Sequence, residues 1–431
     1  MPTKPRRSAA RNHLLVWGGF ALLLIVAPQI FHSGLGVNML SQMGYLIIIC
    51  LSYNMQLGQG GLLSFCHAIY AGTGGFAAAY AVNYVSGADL GLPLVFIPIV
   101  GGITGALLAV PLGYISTKKA GVTFAMITLG IGEMIVAIAV MLPGIFGGDA
   151  GMSIDRVYGK PFLGFTFGPQ IQVYYLIAFY CFVCTVLMYA FTGTPLGRML
   201  NAVRDNPERV GFIGYNTQRV RWYAFIISSF FAGIGGALAT INVEIVNATD
   251  ALGSVASGSY LLFTFLGGVT VFYGPILGAI LMVLAYVLLA DLTSAWLLYL
   301  GLAFLIMVMF VPGGVGSLVA ANVRMARFGK LRRFAGFYGA LLAAGVVMLI
   351  GVSAMIEMIY HLQLNAASGA YISFMGLRLD TTHAAAWAGA IAVAVGGGAV
   401  LRWVGKRYAR TWGVALEEIE SEMAQRAGAA A

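Results

Sequence analysis

Two ionisable side chains stand in stretches that are otherwise apolar, and they are the first candidates for chemistry. His67 follows Gly58-Gln-Gly-Gly61 and lies close to Ser64, and Glu133 sits inside Leu129-Gly-Ile-Gly-Glu-Met-Ile-Val136. An ionisable group at membrane depth is costly and marks a pathway by default. Glu133 could bind the ammonium group of a solute, or it could be protonated and hydrogen-bonded between helices. His67 and Ser64 lie where adjacent glycines permit an unwound backbone, whose freed amides can hold a carboxylate. The alternative is that His67 satisfies a neighbouring carbonyl. Asn54 and Gln56 share that ambiguity.

Covalent chemistry finds no support. Cys50, Cys66, Cys181 and Cys184 all fall in apolar runs. The spacing of Cys181 and Cys184 puts them on one helix face, yet no second pair or His cluster completes a zinc site, and we expect no metal. They read as buried thiols. A P-loop needs Gly-Lys followed by Ser or Thr to cradle phosphates and magnesium. Gly159-Lys160, Gly329-Lys330 and Gly405-Lys406 continue with Pro, Leu and Arg. No catalytic residue is assigned, and the chain is read as lacking its own energy source.

The elements that position these side chains are membrane helices. Hydrophobic residues make up 60% of the chain and charged ones 9%, with a mean hydropathy of +0.89. A soluble domain needs more charge than this, so the fold class is all-α, a polytopic transmembrane bundle. Candidate spans are 14–31, 37–56, 61–84, 92–116, 122–142, 171–192, 222–242, 256–272, 274–291, 295–311, 337–360 and 384–403, about twelve in all. The first follows Lys4, Arg6, Arg7 and Arg11; it is long for a signal peptide and reads as a retained span. With both termini cytoplasmic, only Arg156, Lys160 and Arg378 of the 24 Lys and Arg fall away from the inside. That distribution satisfies the positive-inside rule and accounts for the net charge of +9 without nucleic acid. The same parity requires 256–291 to cross twice, or to dip in and return. Gly101 with Gly105, and Gly233 with Gly235 and Gly236, read as close helix packing.

The 194–221 loop is the long polar insertion on the inner side. Leu196, Met199, Leu200 and Val203 recur at helical spacing, an amphipathic stripe. Asn206 suits an N-cap and Pro207 a first helical position, and Gly214 closes a second helix carrying Glu208, Arg209, Val210 and Phe212. Such an element either docks a cytoplasmic motor or rests on lipid as an interfacial helix.

Several ordered stretches resemble the permease subunits of bacterial branched-chain amino acid ABC importers. They are Pro-Leu-Gly-Arg-Met-Leu-Asn-Ala-Val-Arg-Asp-Asn at 195–206, Phe-Ile-Gly-Tyr-Asn at 212–216, Phe231-Ala-Gly-Ile-Gly-Gly-Ala-Leu-Ala239, Phe265 to Ala279 and Phe310-Val-Pro-Gly-Gly-Val-Gly316. Gly60-Gly-Leu-Leu-Ser-Phe-Cys-His-Ala68 resembles the family's Gly-Leu-Leu-Ser-x-Gly-His-Ala, with Cys66 in place of Gly. The resemblance spans roughly 37–319. It implies that Glu208 and Gly214 stand where ABC permeases carry Glu-Ala-Ala-x-x-x-Gly, and that Asn201, Arg204, Asn206, Pro207, Glu208, Arg209, Gly211 and Gly214 couple to an ATPase. It further implies a second permease of related fold, two ATPase subunits that carry the ATP and magnesium, a periplasmic binding protein and residence in the bacterial inner membrane. The pathway residues are then Asn54, Gln56, Ser64, His67 and Glu133. No cofactor is expected in this chain.

Outside the membrane, Glu244, Asn247 and Asp250, and the 143–170 loop with Asp149, Asp155, Arg156 and Lys160, are either solvated charge or a docking surface for the binding protein. The domain reading is a basic cytoplasmic N-terminus at 1–13, a permease core at 14–319 and an extension at 320–431. The extension carries Glu357 and an acidic tail with Glu417, Glu418, Glu420 and Glu422, where Leu416, Ile419 and Met423 suit a short amphipathic helix. The rival function is an ion-coupled secondary transporter that uses Glu133 and His67. A structural scaffold would explain the helices but not the glycine-rich breaks.

Overall fold

The computed structural model describes residues 6–88, 92–158, 164–290, 293, 295–311, 313–329, 331–364, 371–374 and 377–428. Lys4, Lys160 and Lys330 lie outside the described residues. So do the side chains of Arg6, Arg7, Arg11, Asp149, Arg378, Leu416, Ile419, Glu420, Glu422 and Met423.

Apart from two short antiparallel ribbons, the described secondary structure is helical, as the apolar composition dictates for a chain whose backbone must satisfy itself in lipid. Helix α1 is Arg6–Ile30 and α2 is Gly34–Asn54; Ser33 starts the second by accepting the Gly36 amide at 3.0 Å. Helix α2 then widens into a π-turn, Met55–Gln59, and the chain runs irregularly from Gly60 to Cys66 before α3, His67–Ala88. Next come α4 (Ile97–Ser116), α5 (Val122–Met141) and α6 (Gln170–Gly193). Two polar helices follow, α7 (Pro195–Asp205) and α8 (Pro207–Phe212), and then α9 (Thr217–Val243). The remainder comprises α10 (Ala248–Leu252), α11 (Ser254–Gly267), α12 (Gly274–Leu284), α13 (Trp296–Phe310), α14 (Gly314–Arg327), α15 (Ala335–Leu364) and α16 (Ala384–Gly428).

Among the described residues seven helices are long and apolar enough to cross a membrane, or eight if α13 and α14, bent by 51° at their junction, form one span. The stretches expected at 14–31, 256–272 and 274–291 are shorter apolar helices, Leu15–Ile30, Ser254–Gly267 and Gly274–Leu289. At 1.5 Å per residue, the 14-residue α11 falls well short of the ~30 Å hydrocarbon core. Helices α11 and α12 instead make a tight hairpin: a Cβ on Gly278 would lie 2.0 Å from the Phe263 carbonyl oxygen, and one on Gly267 2.2 Å from that of Gly274. Sequence hydropathy does not show this pairing, because both helices are apolar throughout.

The chain divides into two compact units. The first, Met1–Leu289 with Ala303–Ser317, is built around α9, which packs against α2, α3 and α4. Its backbones approach so closely that a Cβ on Gly236 would sit 1.8 Å from the Ala71 carbonyl oxygen, and one on Gly233 2.3 Å from that of Gly101. Small residues at these crossings let van der Waals packing replace the missing hydrophobic drive between helices in lipid. Contacts between connecting segments sort into two ends. At one end Arg204, Gly58 and Val269 converge, and Gln218 donates to the Tyr114 carbonyl at 3.2 Å. At the other, strand β1 (Met152–Ser153) pairs with β2 (Ile245–Val246), Asn83 donates to the Ser153 carbonyl and Tyr80 to that of Ile145. Of the segments that charge counting placed inside, 57–60 and 193–221 meet at the first end; 143–170 and the stretch after 242, placed outside, meet at the second.

The second unit, Ala290–Leu302 with Leu318–Ala431, is held by α15 against α16. Gly351 meets Ala390 and Ala394, and Gly397 meets Met348. A hairpin of β3 (Tyr371–Phe374) and β4 (Leu377–Asp380) links the two helices. Phe334 and Met325 are buried under Tyr338, Tyr408 and Trp412. Glu357 accepts hydrogen bonds from Thr293 and from Tyr299, so its carboxylate ties helices together. Within the tail, Glu418 pairs with Arg333 at 3.6 Å.

Candidate functional site

The polar loop folds as two capped helices. Thr194 Oγ1 accepts the Gly197 amide at 3.2 Å and Pro195 takes the first position of α7. Asn206 Oδ1 accepts the Arg209 amide at 3.0 Å, and Pro207 and Glu208 occupy the first turn of α8. The close is a Schellman motif: the Tyr215 amide reaches the Val210 carbonyl at 3.3 Å and the Gly214 amide that of Gly211 at 2.9 Å. Gly214 has φ of +94°, with nothing within 4 Å of an added Cβ. Its glycine therefore serves the left-handed backbone, not a lack of room.

Each helix has one anchored face. Leu200 and Val203 on α7 and Val210 on α8 are buried, while Leu196 and Met199 are half-buried. The opposite face carries Glu208, Arg209 and Gly211, all exposed, and Asn201 lies on the flank. Phe212 and Ile213 are 90% and 73% exposed. These two adjacent large apolar side chains stand away from the anchored face of the helix pair. Sequence reasoning placed Phe212 in the helix without seeing this. The available signal was register: two residues after the inward Val210, a helical side chain points away.

Arg204 differs from its neighbours. Its guanidinium pairs with Asp205 at 2.9 Å and also donates to the Gly58 carbonyl, inside the π-turn that ends α2. Around that turn the expected pathway residues Asn54, Gln56, Ser64 and His67 are buried together. Gln56 Nε2 donates to Ser228 Oγ at 3.0 Å, and Ser228 donates to the Ser52 carbonyl at 2.6 Å. Tyr53 donates to the Ser64 carbonyl at 2.8 Å and meets the His67 ring edge-on. Ser52 Oγ donates to the Ile49 carbonyl at 2.7 Å and lies 2.9 Å from His67 Nε2. The Ser52 hydroxyl thus joins the α2 backbone to the His67 ring, while His67 Nδ1 has no partner among the described residues.

The amides near the break are occupied: Phe65 donates to Thr128 Oγ1 at 3.1 Å and Ala68 to Ser257 Oγ at 3.0 Å. Buried side-chain atoms of the α2 break without a partner among the described residues include Asn54 Oδ1, Gln56 Oε1, Gln59 Oε1 and His67 Nδ1; on α9 and α11 the hydroxyls of Ser229 and Thr264 are likewise partnerless. The break thus has the chemistry to receive hydrogen-bond donors, such as an ammonium or amide group.

Glu133 is not in this cluster. Helix α5 turns Thr128 and Gly132 toward Phe65 and Cys66, and Glu133 lies on its exposed face. The pairing of Glu133 with His67 that a secondary transporter would use is therefore not assembled: one is exposed and the other fully buried.

A cavity of about 770 Å³ opens elsewhere in the first unit, among α2, α3, α9 and the α10–α12 region. Gln42, Tyr45, Thr240, Asp250, Tyr260 and Tyr286 give it polar groups, and Ala71, Gly72, Gly75 and Gly236 form a smooth wall. The volume lies in the range of small-molecule sites, about 300–1,000 Å³. None of the residues expected from the sequence to form the pathway lines it. Beside it Asn247 caps α10, accepting the Asp250 amide at 3.1 Å. Glu244 pairs with Arg156 at 3.4 Å, tying the 143–170 loop down.

Residues 36–312 match the family described as branched-chain amino acid transport system / permease component. The chain belongs to this family. It is 26% identical over 328 residues to the high-affinity branched-chain amino acid transport system permease protein LivM of Salmonella typhimurium, covering 71% of this chain and 76% of the relative. The LivM protein of Escherichia coli is 26% identical over 301 residues, covering 65% and 69%. No solved structure matches the chain.

The family match runs from α2 into the α13–α14 junction, so it contains α7 and α8, the π-turn that ends α2 and the cavity. Helices α15 and α16 of this permease lie beyond it. The multi-pass architecture and the transport family agree on a membrane permease.

Proposed function

We propose that this permease is the transmembrane subunit of an ATP-driven importer in the bacterial inner membrane, with a branched-chain amino acid or a related small solute as cargo. The exposed Phe212–Ile213 pair on the anchored α7–α8 element carries this reading. A helix pair resting on lipid would put its apolar face and its anchoring face on the same side; here the anchored face meets the protein and a second apolar surface faces away. Two ATPase subunits supply ATP and magnesium, a second permease supplies the other half of the pathway, and a binding protein delivers cargo. Both termini and α7–α8 lie in the cytoplasm.

The outward end of the cavity is where solute enters on this reading. Asp250 and Asn247 at the cavity suit the ammonium group of an amino acid, and the tyrosines and small residues suit an apolar side chain. Onward passage meets the acceptors at the broken end of α2.

The test is mass spectrometry of what co-purifies after gentle extraction from the native membrane. A P-loop ATPase and a second permease are expected. Gly214→Pro, which cannot adopt φ of +94°, should lose the ATPase while the chain still inserts. A homo-oligomer without ATPase that transports on an ion gradient would overturn the proposal.

A further inference from the structure

We propose that Arg204 transmits movement of the docking helices into the membrane by holding the broken end of α2; this rests on the importer reading above. Arg204 is the one charged side chain of α7–α8 with a described bond into the membrane region. Its Nη1 donates to the Gly58 carbonyl, and its stem lies over Gly61, where an added Cβ would be 2.8 Å from Arg204 Cγ. One turn earlier, Leu200 covers Gly60, at 3.3 Å from an added Cβ. The two glycines thus form a seat for the inner face of α7, and any shift of α7 is felt first at Gly58–Gly61.

Gly58 is a meeting point. A Cβ there would lie 2.3 Å from Asn54 Oδ1 and 2.4 Å from the Val269 carbonyl oxygen, so the π-turn touches both α2 and the turn of the α11–α12 hairpin. Within the same turn Gln56 is bonded to Ser228 on α9, and Ser228 to the Ser52 carbonyl, next to His67. An unbroken series of contacts runs from the docking helix through the widened turn to α9, α3 and the α11–α12 hairpin. A π-turn is suited to this task because its hydrogen bonding is already irregular and such bulges cluster at functional sites. The side-chain oxygens of Asn54, Gln56 and Gln59 are partnerless among the described residues, so the turn carries side-chain hydrogen-bonding capacity that its own backbone bonds do not use. Arginine rather than lysine fits the position, since its planar fork addresses Gly58 and Asp205 at once.

The experiment compares the complete transporter carrying unmodified permease with one carrying Arg204→Gln, and with Arg204→Lys should the glutamine variant fail to accumulate. Three quantities are read: ATPase recovered with the permease, solute uptake, and alkylation of Cys66 by N-ethylmaleimide with and without ATP, located by mass spectrometry. Cys66 is buried in the segment that follows the turn, 3.5 Å from Ser64 Oγ, and so reports whether that segment opens. ATPase recovery should be retained, uptake should fall about ten-fold or more, as for loss of a hydrogen bond to a charged donor, and Cys66 alkylation should lose its ATP dependence. Loss of the ATPase on Arg204→Gln would make Arg204 a docking contact and overturn the inference. So would uptake and Cys66 alkylation that stay as in the unmodified protein. Absence of any ATPase with the unmodified permease would sink the importer reading itself, a result visible before any variant is made.

Discussion

At the scale of single residues, burial separates side chains that the sequence could only group by type. Gln56 and Glu133 were both polar groups in apolar surroundings, yet one is enclosed by α9 and the other faces away from the chain. Gln56 holds one good bond and one partnerless oxygen. A buried orphan acceptor costs about 1–3 kcal/mol, much of what the bond returns. Gln56→Leu is therefore expected to change thermal stability in detergent by no more than about 1 kcal/mol, while uptake drops sharply. A large loss of stability with proportionate uptake would make Gln56 a structural residue. Glu133 has no described bond within the chain, so Glu133→Gln should leave stability within about 0.5 kcal/mol. Because a carboxylate exposed at membrane depth needs water or a partner, the same change should impair uptake, and a Glu133→Cys variant should cross-link to the second permease. Unchanged uptake with no cross-link would assign Glu133 no part in the pathway.

At the scale of elements, α7–α8 was the most legible part of the chain. Its caps at Thr194 and Asn206, its prolines at Pro195 and Pro207 and its closing Gly214 are local signals, each acting within a few residues. What the element exposes was less legible, because it depends on what covers the other face. Replacing Phe212 and Ile213 together by serine should abolish ATPase recovery and leave membrane insertion unchanged, read by quantitative mass spectrometry of the purified complex. Retention of the ATPase would move the docking surface elsewhere. The α11–α12 hairpin shows the opposite case. Its hydropathy matched two spans, while the close pairing of residues 263–267 with 274–278 rests on glycines whose partners lie across the turn.

At the scale of the whole chain, the tertiary contacts of the first unit gather its connecting segments at two ends, and positive-inside counting supplies a side for each. Segments assigned to one side meet at one end and those assigned to the other meet at the opposite end. Orientation can be tested because all four native cysteines are buried. With a membrane-impermeant maleimide on intact cells, Thr249→Cys should be labelled from outside and Asn206→Cys only after permeabilisation. The reverse pattern would invert the topology and place the docking helices on the wrong side for a cytoplasmic ATPase. The second unit, with Glu357 tying α15 to Thr293 and Tyr299, has a fold but no assigned task.

The sequence by itself determined the membrane class, the caps of α7 and α8 and the likeness to the permease family. These rest on composition and on signals that act within a turn or two. Only the tertiary structure decided that Arg204 reaches Gly58, that Gln56 meets Ser228, that Glu133 faces outward and that the cavity lies beside Asp250. Such contacts join residues up to 172 apart in the chain. In lipid, moreover, a helix is apolar on its packed face and on its exposed face alike, so the amphipathic period that marks the inside of a soluble protein is missing.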